Sequence, residues 1–280
     1  MTEDNTLFDV AVVGGGPAGA TAAHDLARSG RNVALLDKSG RIKPCGGAIP
    51  PRLIEEFDIP APLLVARITS ARMVAPSASS VDIPIENGFV GMVDREVFDP
   101  WLRSRAAGSG AHCVNGDVDT IVRDADGHMT IIYRSTTADA SEPPRKLRAR
   151  MVIGADGANS KIARLAGLDR DRMKYVFAYH EIVRSPQTDA SSAPRHGTAT
   201  FDSARCDVIY RGSTSPDFYS WIFPHGDTTS IGTGSAEKGF ALREAVSEVR
   251  RMNGLDGQAT IRREGAPIPM RPLKRWDNGS

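Results

Sequence analysis

The run Gly14-Gly15-Gly16-Pro17-Ala18-Gly19 constrains this chain more than any other feature, because of what stands on either side of it. Phe8 to Val13, just before it, is an apolar stretch of strand length that stops at the glycines, which predicts a buried parallel strand. From Pro17 to Ser29 the small residues Ala18, Ala20, Ala22, Ala23 and Ala27 favour a helix able to pack closely on a sheet, with Gly30 as its stop. Asn32 to Asp37 predicts a second strand. Together these make a βαβ unit with a right-handed crossover, the context in which the spacing GxGxxG has a mechanical meaning.

In such a turn Gly14 permits the tight bend, Gly16 lets a pyrophosphate approach the backbone, and Gly19 lets the helix approach the strand. The helix N-terminus supplies amide donors and a positive dipole end. Asp37, at the tip of the second strand, is placed to accept hydrogen bonds from a ribose 2′-hydroxyl and would repel a 2′-phosphate. The predicted ligand is therefore FAD or NAD and not NADP.

The remaining composition excludes several classes of function. A formal net charge of +1 with no long block of either sign leaves no nucleic-acid or polybasic membrane footprint. The longest apolar runs, such as Val10 to Val13 and Val33 to Leu36, fall far short of the roughly 20 residues needed to span a bilayer. Met1 to Asn5 carries Glu3 and Asp4 and no apolar segment, which argues against a secretory signal or transit peptide and predicts a cytoplasmic enzyme. Three widely spaced cysteines, Cys45, Cys113 and Cys206, imply neither a disulfide framework nor a metal cluster. Cys113 and Cys206 fall in strand-like stretches and are expected to be small buried residues.

Further along, the Gly- and Pro-rich segment Lys43 to Pro51 predicts an extended loop, and Arg67 to Ile85 short strands broken by Pro76 and serines. Asp94 starts a helix through Ala107 that Pro100 should kink, or restart with Asp99 as cap; its Arg95 is placed to reach a cofactor phosphate or adenosine. Asp117 to Arg123 and Met129 to Arg134 flank Asp126-Gly127 as a hairpin. Leu147 to Ile153 predicts a strand that ends at Gly154-Ala155-Asp156-Gly157 and leads into a short helix from Ser160 to Ala166. There Asp156 and Gly157 can face a ligand closely because the backbone can turn sharply. Beyond Gly167 the strand-like pieces Tyr175 to Val183, Thr198 to Phe201, Asp207 to Tyr210, Phe218 to Phe223 and Thr229 to Gly234 predict a separate antiparallel sheet. A helix carrying Phe240, Ala245, Val246, Val249 and Met252 on one face would cover it.

The three glycine- and acid-bearing elements, in this order, resemble the FAD-binding core shared by aromatic hydroxylases and geranylgeranyl reductases. Two further segments narrow the resemblance to the second family. Pro44-Cys45-Gly46-Gly47 resembles its PCGG loop, and Tyr219-Ser220-Trp221-Ile222-Phe223-Pro224, followed by Gly232 and Gly234, resembles its YxWxFP signature. His225-Gly226-Asp227 and the loop Lys43 to Pro50 are closer to the photosynthetic reductases than to the archaeal lipid ones.

The resemblance implies an α/β fold: a Rossmann-like FAD-binding domain of the glutathione-reductase and aromatic-hydroxylase type, with an interleaved antiparallel β-sheet substrate domain. The corresponding boundaries are 1–66 and 94–170 for the FAD domain, 67–93 and 171–268 for the substrate domain, and 269–280 for a return to the first. It implies FAD as cofactor and NADPH as a transient hydride donor that needs no second GxGxxG unit. The implied substrate is an isoprenoid or isoprenoid-tailed pigment, with room for a peripheral encounter with the photosynthetic membrane. It assigns Gly46 and Gly47 to the cofactor, Tyr219, Trp221 and Phe223 to the substrate, and Cys45 to proton donation or substrate positioning. Strand alternation agrees in part, since it sets the three aromatic residues on one face. The resemblance also implies a further Gly-Asp turn after Arg271 to Asp277 and a helical region beyond, so a C-terminally truncated chain is expected. Two other readings share the flavin motifs: an FAD-dependent aromatic monooxygenase, and an inactive flavin-binding fragment.

Overall fold

A computed structural model describes residues 6–38, 40, 42–137, 139, 141–168, 173–186 and 201–279. In chain order its elements are β1 (Leu7–Val13), α1 (Pro17–Arg28), β2 (Val33–Asp37), β3 (Ala48–Ile49), α2 (Pro51–Glu56), a 3-10 turn at Ala61–Leu63, β4 (Ala66–Ile68), β5 (Ser70–Val74), β6 (Ser80–Pro84) and β7 (Val90–Met92). There follow α3 (Arg95–Gly108), β8 (His112–Arg123), β9 (Met129–Ser135), β10 (Arg145–Gly154), α4 (Lys161–Leu165), β11 (Tyr175–Arg184), β12 (Arg205–Ile209), β13 (Ser220–His225), β14 (Thr228–Ser235), α5 (Leu242–Met252) and β15 (Thr260–Pro269). They form two compact units, one of Met1–Lys43, Glu96–Met173 and Arg271–Ser280, the other of Pro44–Arg95 and Lys174–Met270.

In the first unit β1 lies parallel between β2 and β10, and β8 extends the parallel set beyond β2 through His112 to Asn115. From Gly116 onward β8 turns to pair antiparallel with β9, which pairs in turn with β10, so the ring β1-β10-β9-β8-β2 closes on itself. All five residues of β2 are buried, as a strand covered on both faces requires. Helix α1 buries Gly19, Ala20 and Ala23, the small residues that allow close packing. Phe8, Val13, Leu36, Val118, Ile131 and Leu147 form the centre of the core.

The second unit is built on a sheet of order β15-β11-β14-β13-β12-β5-β6, beside a small sheet β3-β7-β4. Its core gathers Val183, Ile209, Ile222, Ile231, Val246 and Leu255. Helix α5 supplies Ala245, Val246 and Val249 from its buried stripe and packs on β14 and β11, as the sequence periodicity predicts, although Phe240, expected on the same helix, precedes its first turn.

The structure departs from the sequence expectations in several places. The large sheet is not wholly antiparallel, because β12 runs parallel to β5, a strand some 130 residues earlier in the chain. The expected boundary at residue 66 falls inside the second unit: residues 44–66 belong there because β3 and β4 both pair with β7. Pro100 does not restart α3, which is continuous around it. The proline ring forgoes the bond to the Glu96 carbonyl, one turn earlier, while buried Phe98 and Leu102 keep the helix seated. Cys113 on β8 is exposed and not buried, whereas Cys206 on β12 is buried as expected. Of the strand expected at Thr198 to Phe201, residues 198–200 lie outside the described residues and Phe201 is not in a strand. Strand β15 closes the edge of the large sheet where no strand is predicted.

Candidate functional site

The glycine turn is held by both strands that flank β1. Gly14 N–H donates to the Leu36 carbonyl at 2.8 Å and Ala155 N–H to the Val13 carbonyl at 2.7 Å. Gly14 has φ +105°, and a Cβ there would stand 2.4 Å from the Ala155 oxygen, so no other residue fits. A Cβ on Gly19 would lie 1.8 Å from the Gly14 oxygen, which is the close helix approach the spacing implies. Gly16, at the N-cap of α1, has an ordinary extended backbone (φ −75°, ψ −176°). Its own conformation does not demand glycine. No side chain caps α1 and its first turn holds no acid, so its leading amides are left for an anion.

Asp37 ends β2 buried, its carboxylate accepting from Gly15 N–H at 2.6 Å. Lys43 Nζ lies 3.5 Å and Arg103 Nη1 3.7 Å from the same carboxylate, and Arg103 Nη1 also donates to the Gly15 carbonyl at 3.1 Å. A cleft of about 270 Å³ opens here, lined among others by Gly14, Leu36, Asp37, Lys43, Asp156 and Arg164. Two cations beside one buried carboxylate, next to uncapped helix amides, suit a ligand that carries both hydroxyl groups and phosphate.

The second strand-turn-helix junction does a further job that its sequence does not show. Asp156 lines the cleft, but its carboxylate accepts from Ser160 Oγ at 2.5 Å, Lys161 N–H at 2.6 Å and Ile162 N–H at 3.1 Å, so it fastens the start of α4. Ser160 Oγ in turn accepts from Ala163 N–H at 2.9 Å. Gly157 has φ +86° with open space around its missing Cβ, so the turn itself requires it. Arg95 opens α3, groups with the second unit and is not among the residues lining this cleft; Arg103, two helical turns on, is the arginine that meets the glycine turn. A face reading of the helix, 95, 99, 103, marks Arg103 in the sequence, and no local motif does.

A second, smaller hollow of about 110 Å³ lies within the second unit, lined by Pro44, Cys45, Gly46, Ala178, His180, Tyr219, Trp221, Phe223, Ala266 and Ile268. It brings Cys45 and all three signature aromatics together. Ring centroids are 6.0 Å apart for Tyr219 and Trp221 and 6.1 Å for Trp221 and Phe223, a continuous wall. Gly46 sits against this wall and Gly47 beside Val93 and His225, and neither is among the residues lining the dinucleotide cleft. A Cβ on Gly46 would lie 3.2 Å from the Phe223 ring; one on Gly47, where φ is +70°, would lie 2.6 Å from His225 Nε2. Cys45 is exposed, its sulfur accepting from Gly47 N–H at 3.4 Å.

His225 is buried, and that burial pushes its imidazole below the ordinary histidine range, against the opposing pull of the Phe223 carbonyl bonded to its Nδ1 at 2.9 Å. Burial likewise raises the Cys206 thiol to about 12, which makes it an inert core residue. Sequence reasoning missed His180, Lys43 and Arg103 as site residues: each is an ordinary polar residue in no motif, and Glu264 reaches His180, as Arg103 reaches Gly15, from 84 and 88 positions away in the chain. Among the described residues no group of His, Cys, Asp or Glu is arranged to hold a metal, and no helix is long and apolar enough to cross a membrane.

Comparison with known proteins adds the following. A family model described as pyridine nucleotide-disulphide oxidoreductase matches residues 8–191. A geranylgeranyl diphosphate reductase of Rhodobacter capsulatus is 53% identical over 97% of this chain and 66% of its own length. One from Synechocystis sp. is 35% identical over 96% of this chain and 66% of its own. A digeranylgeranylglycerophospholipid reductase of Methanocaldococcus jannaschii is 30% identical over 85% of this chain and 58% of its own. The chain thus spans between just over half and about two thirds of these relatives. Among solved structures, a geranylgeranyl bacteriochlorophyll reductase-like protein of Thermoplasma acidophilum matches with a TM-score of 0.79 at 25% identity, over 95% of this chain and 68% of that one. Aklavinone-11 hydroxylase, solved with FAD and aklavinone, shares the fold with a TM-score of 0.70 at 18% identity, over 97% of this chain and 56% of its own.

Proposed function

Since the chain belongs to the pyridine nucleotide-disulphide oxidoreductase family and its relatives across nearly its full length are geranylgeranyl reductases, we propose that it is an FAD-dependent reductase of the geranylgeranyl group. The substrate is geranylgeranyl diphosphate or a geranylgeranyl-(bacterio)chlorophyllide, carried stepwise towards phytyl, with NADPH as the source of hydride. The observation that carries this reading is the gathering of Cys45, Tyr219, Trp221 and Phe223 around one apolar hollow, residues the sequence separates by more than 170 positions.

The first unit is the FAD-binding unit. Its residues fit the cofactor: Gly14 and Gly19 leave room only where no side chain can stand, and the amides of α1 are uncapped. Asp37 takes the ribose hydroxyls while Gly16 and the start of α1 take the pyrophosphate. Gly157 allows the sharp turn after β10, and Asp156, which lines the cleft, also holds the start of α4. When bound, FAD supplies the hydride chemistry that no amino-acid side chain can. The second unit is the substrate unit. Its aromatic wall holds the polyprenyl tail by apolar contact and keeps water from it. Cys45, exposed at the rim of the hollow, donates the proton that saturation of a carbon-carbon double bond needs besides the hydride. Gly46 and Gly47 let the loop that carries it lie flat on Phe223 and His225. An apolar tail of this kind favours a peripheral encounter with the membrane that holds the substrate.

The test is anaerobic incubation of the FAD-loaded chain with NADPH, or with dithionite, and geranylgeranyl diphosphate, following product mass. Gains in steps of two hydrogens are expected. No gain with flavin demonstrably bound and reduced would refute the reading for this chain.

A further inference from the structure

One row of the large sheet crosses four strands through the hollow. Glu264 on β15 pairs with His180 on β11, His180 with Gly232 on β14, and Gly232 with Trp221 on β13. The glycine is what brings the two rings together. A Cβ on Gly232 would stand 2.2 Å from Trp221 Cζ2 and 2.6 Å from His180 Cβ, and in its absence the ring centroids of His180 and Trp221 are 6.2 Å apart across it. Two residues back on the same strand, and so on the same face, the fully buried Ser230 bonds to both rings, at 3.1 Å to Trp221 Nε1 and 2.9 Å to His180 Nδ1.

The direction of the first of these bonds follows from what each group can do. An indole N–H only donates, so Ser230 Oγ accepts from Trp221. Ser230 Oγ keeps its own proton and a second lone pair with which to meet His180 Nδ1, and His180 Nε2 faces Glu264 Oε2 at 3.0 Å. Arg262 Nε lies 2.6 Å from the other Glu264 oxygen. Burial presses the Glu264 carboxyl upward, but the hydrogen bond from His180 and the charge of Arg262 outweigh it and hold the carboxyl below its ordinary range, so it stays an acceptor. The row links indole, serine, imidazole and carboxylate in one hydrogen-bonded chain.

We propose that Ser230, His180 and Glu264 are positioning residues that fix the plane of the Trp221 indole, making it a rigid wall of the isoprenoid hollow. The proposal rests on the isoprenoid reading for its purpose and on the hydrogen-bonded row for its geometry. A polyprenyl tail is a flexible chain of near-identical units with no polar group along it, so only the shape of the wall can choose where it stops. A wall whose rotor is frozen beforehand does not pay for ordering when the tail binds. Trp221 offers one polar atom by which its ring can be fixed, and the sheet supplies a dedicated acceptor for it.

The experiment uses the whole 280-residue chain with Trp101 and Trp276 replaced by Phe, so that Trp221 is the sole indole. Time-resolved fluorescence anisotropy is recorded for this parent, for Ser230→Ala and for His180→Phe, which keeps an aromatic ring but loses both nitrogens. Geranylgeraniol is then titrated against each. The expected result is a rigid indole in the parent, a fast local motion in both variants, and geranylgeraniol affinity about three- to tenfold weaker in the variants, the worth of one buried hydrogen bond. An unchanged anisotropy decay in either folded variant overturns the proposal. A parent that binds no geranylgeraniol, while the variants loosen the indole, upholds the positioning role and refutes the isoprenoid reading instead.

Discussion

Two glycine-to-alanine substitutions in this protein should move stability in opposite directions, and the structure says why. At Gly19, inside α1, alanine gains helix propensity of about 1 kcal/mol. Its Cβ, however, would stand 1.8 Å from the Gly14 oxygen and 3.0 Å from Ala155 Cβ. Carbon and oxygen pack at roughly 3.5 Å, so backbone must move by more than an ångström, and both partners are anchored in sheet hydrogen bonds. Overpacking of this kind costs about 1–3 kcal/mol, and backbone against backbone belongs at the upper end. The net loss is about 2 kcal/mol, or some 4–8 °C in melting temperature for a chain of this size. At Gly108, the last residue of α3, a Cβ meets nothing within 4 Å and φ is not positive, so Gly108→Ala should be neutral or raise stability by up to about 1 kcal/mol. Thermal unfolding by circular dichroism of the two variants, with bound flavin measured by absorbance after gel filtration, checks both. A Gly19→Ala protein as stable as Gly108→Ala, with full flavin, would refute the argument from close approach.

The other expectations concern single groups. Asp37→Ala removes the acceptor of Gly15 N–H and leaves Lys43 and Arg103 beside no carboxylate, so FAD affinity should fall about ten- to a hundredfold in a fluorescence titration; an unchanged Kd would mean that the carboxylate serves only the turn. Trp221→Ala should weaken isoprenoid binding far more than FAD retention, and equal loss of both would make it a core residue. Cys45→Ser, at an exposed position, should leave melting temperature and flavin content alone and lower product formation; wild-type turnover would remove the thiol from the mechanism.

Glu181, buried on β11, accepts from Tyr179, Arg250 and Arg263. Burial raises its carboxyl, and those three partners outweigh it, leaving it below the ordinary glutamate range. A lowered carboxyl adds stability that is complete above the unfolded value and is lost as pH falls through the folded one. Glu181→Gln should therefore cost roughly 3 kcal/mol near neutrality, where Arg250 is left buried without its charge partner, and flatten the decline of melting temperature as pH falls through and below the ordinary carboxylate range. Parallel curves for the two proteins would refute it.

What the sequence alone determined is the part of the molecule that neighbours along the chain control. The turn from β1 into α1, the helix of small residues, the acid at the end of β2 and the stripe on α5 are all set by residues within a few positions of one another. Their periodicity and their glycines were therefore readable directly, and so was the family likeness carried by the PCGG and YxWxFP segments. Only the tertiary structure decided which side chains meet across the folds of the chain. Arg103 reaches Gly15 from 88 residues away and Glu264 reaches His180 from 84, while β12 finds β5 as a parallel partner far back in the chain. The sequence signature of Asp156 does not reveal that its carboxylate also fastens α4, which the bonds from Ser160, Lys161 and Ile162 show. The physical reason is common to all of them. Local pattern specifies an element and the face it buries, but the partner on that face is chosen by strand order and register, which are settled only when the whole core packs at once.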